Sequence, residues 1–260
     1  FKGQGVQFSE HRLYVPGDDV RHIDWKVSAR SRDILVKKFE EERELNVLVV
    51  VDTSASLSFG SKTQLKSDTA CEVAGMLAFA AAMGGDKVGM VLFSDQVERV
   101  VPPKKGKAHV SRLLSELMAQ QKRNKKTDLA VGLDAAGRVM KHKGIIILVS
   151  DFLAEGYDLS LRRLARKHDV VAIQVRDELE RTWPRVGFVQ VLDPESGNTK
   201  VVDPGSYLFK KWIADFHSTH ATDRDTALKS GKADHLVVST SDDVAETLVR
   251  FFNSRARRRR

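Results

Sequence analysis

The sequence predicts an α/β fold: a doubly wound, mostly parallel sheet flanked by helices in a three-layer, Rossmann-type arrangement. Apolar, β-branched runs alternate with longer stretches that suit helices, which is the pattern of parallel strands joined by helical crossovers. The run at 47–51 is apolar at every position, as expected of a central strand covered on both faces. The 260 residues, of which 42% are hydrophobic, are enough to bury one large core.

The predicted elements follow in order along the chain. The first 45 residues are charged and contain one expected edge strand, 34–39. Apolar runs predict strands at 47–51, 88–93, 97–101, 145–149, 170–175 and 236–239, of which the second and third form a hairpin. Stretches of helical pattern lie at 63–83, 107–120, 128–140, 159–167, 207–228 and 244–253. Two further strands, 186–192 and 199–202, flank the turn sequence DPESGN and predict a hairpin inserted late in the chain.

The chain is expected to have three parts. Residues 1–45 form a charged extension packed on the domain, 46–254 form the α/β domain, and 255–260 form a basic tail. The net charge is +8, and five arginines lie in the last six residues, so the remainder carries only 8 − 5 = +3. The tail is either a solvated terminus or a segment that attracts anionic lipid or nucleic acid, and nucleic acid is the less favoured of the possible partners.

A single cysteine, Cys71, excludes an intrachain disulfide and favours a reducing compartment, the cytoplasm. No apolar run approaches the ~20 residues that span a bilayer. The chain begins at Phe1 rather than at a methionine, so a membrane association through residues upstream of Phe1 stays open.

Polar side chains stand at three expected strand ends or helix starts. Asp52, Ser54 and Ser56 follow the strand 47–51, Thr127 precedes a helix, and Asp151 comes just after the strand 145–149. In doubly wound sheets, ligands bind at the carboxyl ends of the strands. Any one of these residues could instead cap the helix that follows it. Together they supply three hydroxyls and two carboxylates, the hard oxygen ligands that Mg²⁺ or Mn²⁺ selects.

The five residues resemble the metal-ion-dependent adhesion site of von Willebrand factor A domains. The resemblance implies that Ser54, Ser56 and Thr127 contact the metal directly or by turns, and that Asp52 and Asp151 act partly through water. It also implies that one coordination position is left for a carboxylate from a partner. The site would then bind a protein rather than catalyse a reaction.

Longer segments resemble the bacterial domain-of-unknown-function family fifty-eight, which covers nearly the whole chain. They are RLYVPGDDVRHIDWKVSARSRDILVKKFEEERELNVLVVVDTSAS, GDKVGMVLFSD, KTDLAVGLDAA and HLVVSTSDDVAETLVRFF. Members of this family are commonly encoded beside MoxR-type AAA+ ATPases. The resemblance implies a von Willebrand factor A-like fold and an adaptor role with such an ATPase, or with a client that supplies an acidic residue, and it supplies no known reaction.

Two other functions remain open from the sequence. The same cluster could serve a metal-dependent phosphoesterase, since Mg²⁺ can activate a water, although no base is positioned by the sequence. The phosphate-loop, nucleophile-elbow and dinucleotide-binding motifs are absent. The third function is binding of nucleic acid or a membrane surface through the tail, Arg255 to Arg260.

Three further segments each allow two interpretations. PGDDVRHIDW, 16–25, is either a set of structural ion pairs in which Trp25 covers the sheet edge or a docking surface. KRNKK, 122–126, is a solvated loop or a positive rim that steers an acidic partner. His217 and His220 have a spacing that can bind zinc, but solvated helix residues are the favoured interpretation.

Overall fold

The computed structural model of the protein describes residues 6–41, 44–60, 64–119, 126–180, 182–184, 186–192 and 197–258. The chain divides into two compact units, residues 1–44 and 45–260. The predicted packing of an N-terminal extension on the domain stays a prediction.

The first unit is built on an antiparallel pair of strands, β1 (Val6–Leu13) and β2 (Leu35–Glu41). Between them lies a short helix, α1 (Trp25–Ser28). The sequence predicts only the second strand, because β1 mixes charged and apolar residues without a clear alternation.

Acidic side chains of the first unit hold its own turns. Asp24 caps α1 by accepting the Val27 N–H, and its other oxygen lies 3.0 Å from His11 Nε2. Asp18 accepts two hydrogen bonds of 2.6 Å from Arg12, and these bonds lower the pKa of Asp18 to about 2. The acids of the segment 16–25 therefore have structural roles. The structural alternative also has Trp25 covering the sheet edge, but Trp25 is 66% exposed.

The second unit contains a six-stranded sheet and a separate two-stranded hairpin. The strands of the large sheet are β3 (Asn46–Asp52), β4 (Lys87–Phe93), β5 (Val97–Lys104), β6 (Ile145–Ser150), β7 (Asp169–Arg176) and β10 (Asp234–Ser239). Those of the hairpin are β8 (Val189–Leu192) and β9 (Thr199–Val202). In the large sheet the spatial order is β10-β7-β6-β3-β4-β5, and all neighbouring strands are parallel except β4 and β5, which are antiparallel.

Helices cover both faces of the large sheet. They are α2 (Lys66–Met83), α3 (Lys107–Met118), α4 (Leu129–Val139), α5 (Asp158–Ala165), α6 (Tyr207–Ser230) and α7 (Val244–Arg258). Side chains alternate along β3, so Val47, Val49 and Val51 pack in one core with α2, α3 and α7. Leu48 and Val50 pack in a second core with α4, α5 and α6. The predicted three-layer, doubly wound fold is confirmed.

Element boundaries differ from the predicted ones in both strands and helices. Strand β5 continues to Lys104 instead of ending at 101, β8 begins at Val189 instead of 186, and α7 continues to Arg258 instead of ending at 253. Helix α2 begins at Lys66, and the predicted start at Thr63 lies outside the described residues. The late hairpin, β8 paired with β9, is antiparallel as expected, although four residues of its turn, 193–196, are also outside them. Among the described helices, none is long and apolar enough to cross a membrane.

The basic tail does not begin at Arg255, because α7 continues as far as Arg258. Arg255 is 6% exposed, and its guanidinium donates to Asp169 and to Asp234, with both N···O distances at 2.5 Å. These two carboxylates stand at the starts of β7 and β10. The prediction of a solvated segment from Arg255 onward is therefore wrong for Arg255, which fastens α7 to the sheet.

We expect Arg255→Met to lower the free energy of unfolding by about 2–3 kcal/mol, because two partly buried carboxylates would lose their guanidinium. The matched control is Arg257→Met on the same helix, where the side chain is exposed and the expected change is within about 0.5 kcal/mol. Urea unfolding of both variants measures the difference. Equal losses would contradict the structural role of Arg255.

Two glycines of α4 give a second matched pair. A Cβ on Gly132 would lie 2.6 Å from Cδ1 of the buried Phe93 ring, whereas the nearest atom to a Cβ on Gly137 is Leu164 Cδ1 at 3.6 Å. We expect Gly132→Ala to destabilise the protein by about 1–3 kcal/mol through overpacking. Gly137→Ala is expected to stabilise it by about 0.5–1 kcal/mol, because alanine favours the helix. Thermal unfolding of the two variants would show shifts of opposite sign, and shifts of the same sign would contradict this packing.

Candidate metal centre

The sheet topology brings the predicted site residues to one edge. Strands β3 and β6 are parallel neighbours, with Val51 level with Val149, so Asp52 and Ser150 come next at the same carboxyl end. Asp151 follows directly. Thr127 is held at this edge because the N–H of the next residue, Asp128, donates to the Ser94 carbonyl just after β4. This is the arrangement expected from the alternation of strands and helices.

The loop after β3 turns its serines toward each other. Asp52 Oδ1 accepts the Ser54 N–H at 2.9 Å, and residues 55–58 then form one short 3₁₀ turn. This geometry places Ser54 Oγ 3.1 Å from Ser56 Oγ. The two hydroxyls therefore come together through a tight turn.

Thr127 adds a third hydroxyl to the row. Its Oγ1 lies 3.5 Å from Ser56 Oγ, across 71 positions of sequence. The capping of α4 is performed by its neighbour Asp128, which accepts the N–H groups of Ala130 and Val131. Asp128, and not Thr127, is therefore the residue that caps α4.

The two carboxylates of the candidate site are buried. Asp52 is 1% exposed and Asp151 is 2% exposed. Burial, together with the negative charge of Asp151, raises the pKa of Asp52 to about 6. Ser150 stabilises the ionised form of Asp52 by donating to Oδ2 at 2.6 Å, and Asp151 Oδ1 accepts the Leu153 N–H at 3.3 Å.

The donor set fits a hard divalent cation. Oxygen ligands at roughly 2.1 Å from an octahedral Mg²⁺ lie about 3 Å apart when adjacent, and the Ser54–Ser56 separation of 3.1 Å matches that spacing. Within the described part of the chain, no group of three or more His, Cys, Asp or Glu could hold a metal. The candidate centre differs from such a group, because it combines three hydroxyls, those of Ser54, Ser56 and Thr127, with only two acids. A cavity of about 340 Å³ opens next to Asp52 and Ser54.

Three residues near the site, Ser150, Lys66 and Glu180, escape the sequence analysis. Ser150 looks like an ordinary strand residue until its register with Asp52 is known. Lys66, at the start of α2, is 1% exposed, and its ammonium donates to Asp151 Oδ2 at 2.8 Å and to Glu180 Oε1 at 2.5 Å. Burial alone would lower the pKa of Lys66, but the charges of Asp151 and Glu180 outweigh it and raise that pKa. A signal for Lys66 does exist, since it is the only basic residue of the Ala-rich helix α2.

The other candidate residues have separate roles. His217 Nε2 lies 2.7 Å from the Glu180 carbonyl, and the His220 ring packs edge-on against Phe216 with a centroid distance of 4.4 Å. These contacts favour packing roles over the zinc alternative. Lys126 is exposed, while the rest of the KRNKK segment lies outside the described residues.

The Ser150 hydroxyl also supports an unusual backbone conformation. Phe152 has a φ of 59°, which is rare for a bulky residue, and its N–H donates to Ser150 Oγ at 3.1 Å. Phe152 itself is buried. One hydroxyl thus holds both the Asp52 carboxylate and the turn that carries Asp151.

We expect Ser150→Ala to cost about 1–3 kcal/mol of unfolding free energy in EDTA, because a buried carboxylate loses its donor. The control is Ser58→Ala in the loop after β3, where the side chain is exposed and the expected change is within about 0.5 kcal/mol. Chemical unfolding would measure both. A loss for Ser150→Ala no larger than that of the control would contradict the role given to this hydroxyl.

Comparisons with known proteins agree with this architecture. The family model described as "Protein of unknown function DUF58" matches residues 10–226. The uncharacterized protein Rv1480 of Mycobacterium tuberculosis is 34% identical over 260 residues, which cover 98% of this chain and 81% of that protein.

Among solved structures, the conserved hypothetical protein BatB from Bacteroides thetaiotaomicron matches with a TM-score of 0.54 and 14% identity, over 82% of this chain and 99% of that one. An aerotolerance-related membrane protein from Bacteroides fragilis matches with a TM-score of 0.50 and 16% identity, over 77% and 92% of the two chains. At these identities the two structures bear on the fold alone. The chain belongs to the DUF58 family, and it shares its α/β fold with these two structures.

Proposed function

We propose that this protein is a non-enzymatic, divalent-metal-dependent protein-binding module. The cation, Mg²⁺ or Mn²⁺, is held at the metal centre, and a carboxylate from a partner protein completes its coordination. The observation that carries the proposal is the row of three hydroxyls, Ser54, Ser56 and Thr127, beside two buried carboxylates.

Each residue has a defined part in this proposal. Ser54, Ser56 and Thr127 hold the cation directly, while Asp52 and Asp151 act partly through water. The cation supplies positive charge to an incoming carboxylate. Because the direct ligands are mostly neutral hydroxyls, that charge is only weakly compensated, and an acidic side chain of a partner gains a strong interaction.

The phosphoesterase alternative has less support from the geometry. A hydrolase needs a base within hydrogen-bond reach of the attacking water. Asp52 accepts from Ser54 and Ser150, Asp151 accepts from Lys66 and Leu153, and both acids are buried. Their contacts favour holding a cation over moving a proton.

Binding of nucleic acid or a membrane through the C-terminal arginines also has less support. Arg255 is engaged by Asp169 and Asp234, and helix α7 includes the next three residues. An acidic protein partner fits better with a centre that offers a cation to a carboxylate.

The partner we propose is a MoxR-type AAA+ ATPase or one of its client proteins, with an Asp or Glu as the captured residue. Support comes from the resemblance of this chain to a family that is commonly encoded beside such ATPases. The adaptor role follows from the same chemistry, because a cation that one acidic side chain can occupy gives reversible attachment.

Metal dependence is tested by pull-down of a cognate MoxR-type ATPase and its clients on the immobilised protein, with Mg²⁺ or with EDTA. We expect recovery in Mg²⁺ and loss of at least about tenfold in EDTA or with Asp52→Ala, because supporting residues of a metal site typically contribute 10–100-fold to affinity. Calorimetry of Asp52→Ala should show a matching loss of Mg²⁺ affinity while the protein remains folded.

The matched control is Asp134→Ala, which removes an exposed carboxylate from α4 and should leave both measurements unchanged. Equal recovery in Mg²⁺ and in EDTA would refute metal-dependent capture. A screen of phosphate esters with Mg²⁺ and Mn²⁺ tests the alternative, and robust turnover that Asp52→Asn abolishes would favour the hydrolase.

A further inference from the structure

Lys66 is a buried, charged side chain at the metal centre that the proposed function does not use. It enters from the first residue of α2, and its side chain is almost completely buried. Its ammonium touches Asp151, a proposed metal-site residue, at 2.8 Å. On its other side it touches Glu180, which comes from the segment after β7. A lysine so deeply buried requires charged partners, and these two carboxylates supply them.

The charges of the cluster show what Lys66 does to the site. With their acids ionised, Asp52, Asp151 and Glu180 carry −3, and Lys66 reduces the total to −2. Without the lysine, the same acids would attract a divalent cation more strongly, because the positive charge of Lys66 would no longer repel it.

The position of the ammonium is fixed from several directions. Glu180 Oε2 accepts the Asp177 N–H at 3.1 Å, so the carboxylate that holds Lys66 is itself held. Asp177 in turn accepts a hydrogen bond of 2.6 Å from Thr240, just after β10. The Glu180 carbonyl lies 2.7 Å from His217 Nε2 of α6. Glu180, one of the two acceptors of Lys66, is therefore itself held in place by the neighbouring backbone and by α6.

We infer that Lys66 is a built-in cation of the metal centre, which neutralises part of its carboxylate charge and so limits the affinity for Mg²⁺. This inference rests on the proposed metal-dependent function. Lys66 is a positioning and affinity-setting residue, since its contacts are with Asp151 and Glu180 and not with the three hydroxyls. The consequence is a site that keeps its acids together without metal and releases a divalent cation readily.

The test is isothermal calorimetry with Mg²⁺ alone on the whole chain, comparing the unmodified protein with Lys66→Met. Methionine keeps the length and the apolar part of the side chain but removes the charge. We expect the dissociation constant for Mg²⁺ to fall by about tenfold or more. We also expect a larger Mg²⁺-induced rise in melting temperature than in the unmodified protein, because the metal would then compensate the carboxylate charge that Lys66 neutralises in the unmodified protein.

Two further variants keep the test decisive if Lys66→Met folds poorly. Glu180→Gln removes a negative charge and leaves Lys66 on Asp151, so Mg²⁺ affinity should weaken, the opposite direction. Lys143→Met removes an exposed positive charge just before β6, at the amino end of the sheet, and should leave Mg²⁺ affinity within about twofold.

The outcomes separate the inference from the function on which it rests. If the unmodified protein binds Mg²⁺ and Lys66→Met binds it no more tightly, Lys66 is a structural lysine and the inference fails alone. If Lys66→Met merely melts at a lower temperature with unchanged Mg²⁺ affinity, the same conclusion holds. If neither protein takes up Mg²⁺, the inference and the metal-dependent function fail together.

Discussion

Two carboxylates buried side by side at the ends of adjacent strands impose the main physical constraint on this protein. Asp52 ends β3, Asp151 follows β6, and both are almost fully excluded from water. Negative charge in such a place is costly unless it is hydrogen-bonded or paired. The raised pKa of Asp52 reflects that cost, since burial and the neighbouring acid both disfavour its ionised form. Much of the structure around this edge compensates for it.

The compensation comes from several elements that reach the edge. The backbone turn after β3 donates a main-chain N–H to Asp52, and Ser150 donates its hydroxyl. Helix α2 contributes Lys66 to Asp151, and Glu180 balances the lysine. These donors are held in place because β3 and β6 are almost entirely buried between the two helical layers. The apolar sheet thus positions the polar centre, and the polar centre determines which loops can follow its strands.

How much of this the sequence predicts depends on the range of each interaction. The strand before Asp52 and the helices around it are local patterns, and the expected topology alone was enough to bring Thr127 and Asp151 to the same edge. Lys66 could not be placed, because its partners lie 85 and 114 positions away and an isolated lysine at a helix start is usually solvated. The role of Arg255 could not be predicted for the same reason. Its run of arginines resembles a frayed terminus, and its partners Asp169 and Asp234 are brought to it only by the tertiary fold.

Among the described residues of the second unit, a buried lysine and a buried arginine lie at opposite ends of the same sheet. Arg255 joins the starts of β7 and β10, whereas Lys66 joins the carboxyl end of β6 to the segment after β7. The two pairings differ in what surrounds them. Around Arg255 the described contacts are ion pairs between helix and sheet, which suits a purely structural fastening. At the edge where Lys66 pairs with Asp151, the hydroxyls of Ser54, Ser56 and Thr127 also form a row. Under the proposed function, the ammonium of Lys66 keeps the buried acids together. The hydroxyls then bind a second, exchangeable cation, Mg²⁺ or Mn²⁺, when a partner is bound.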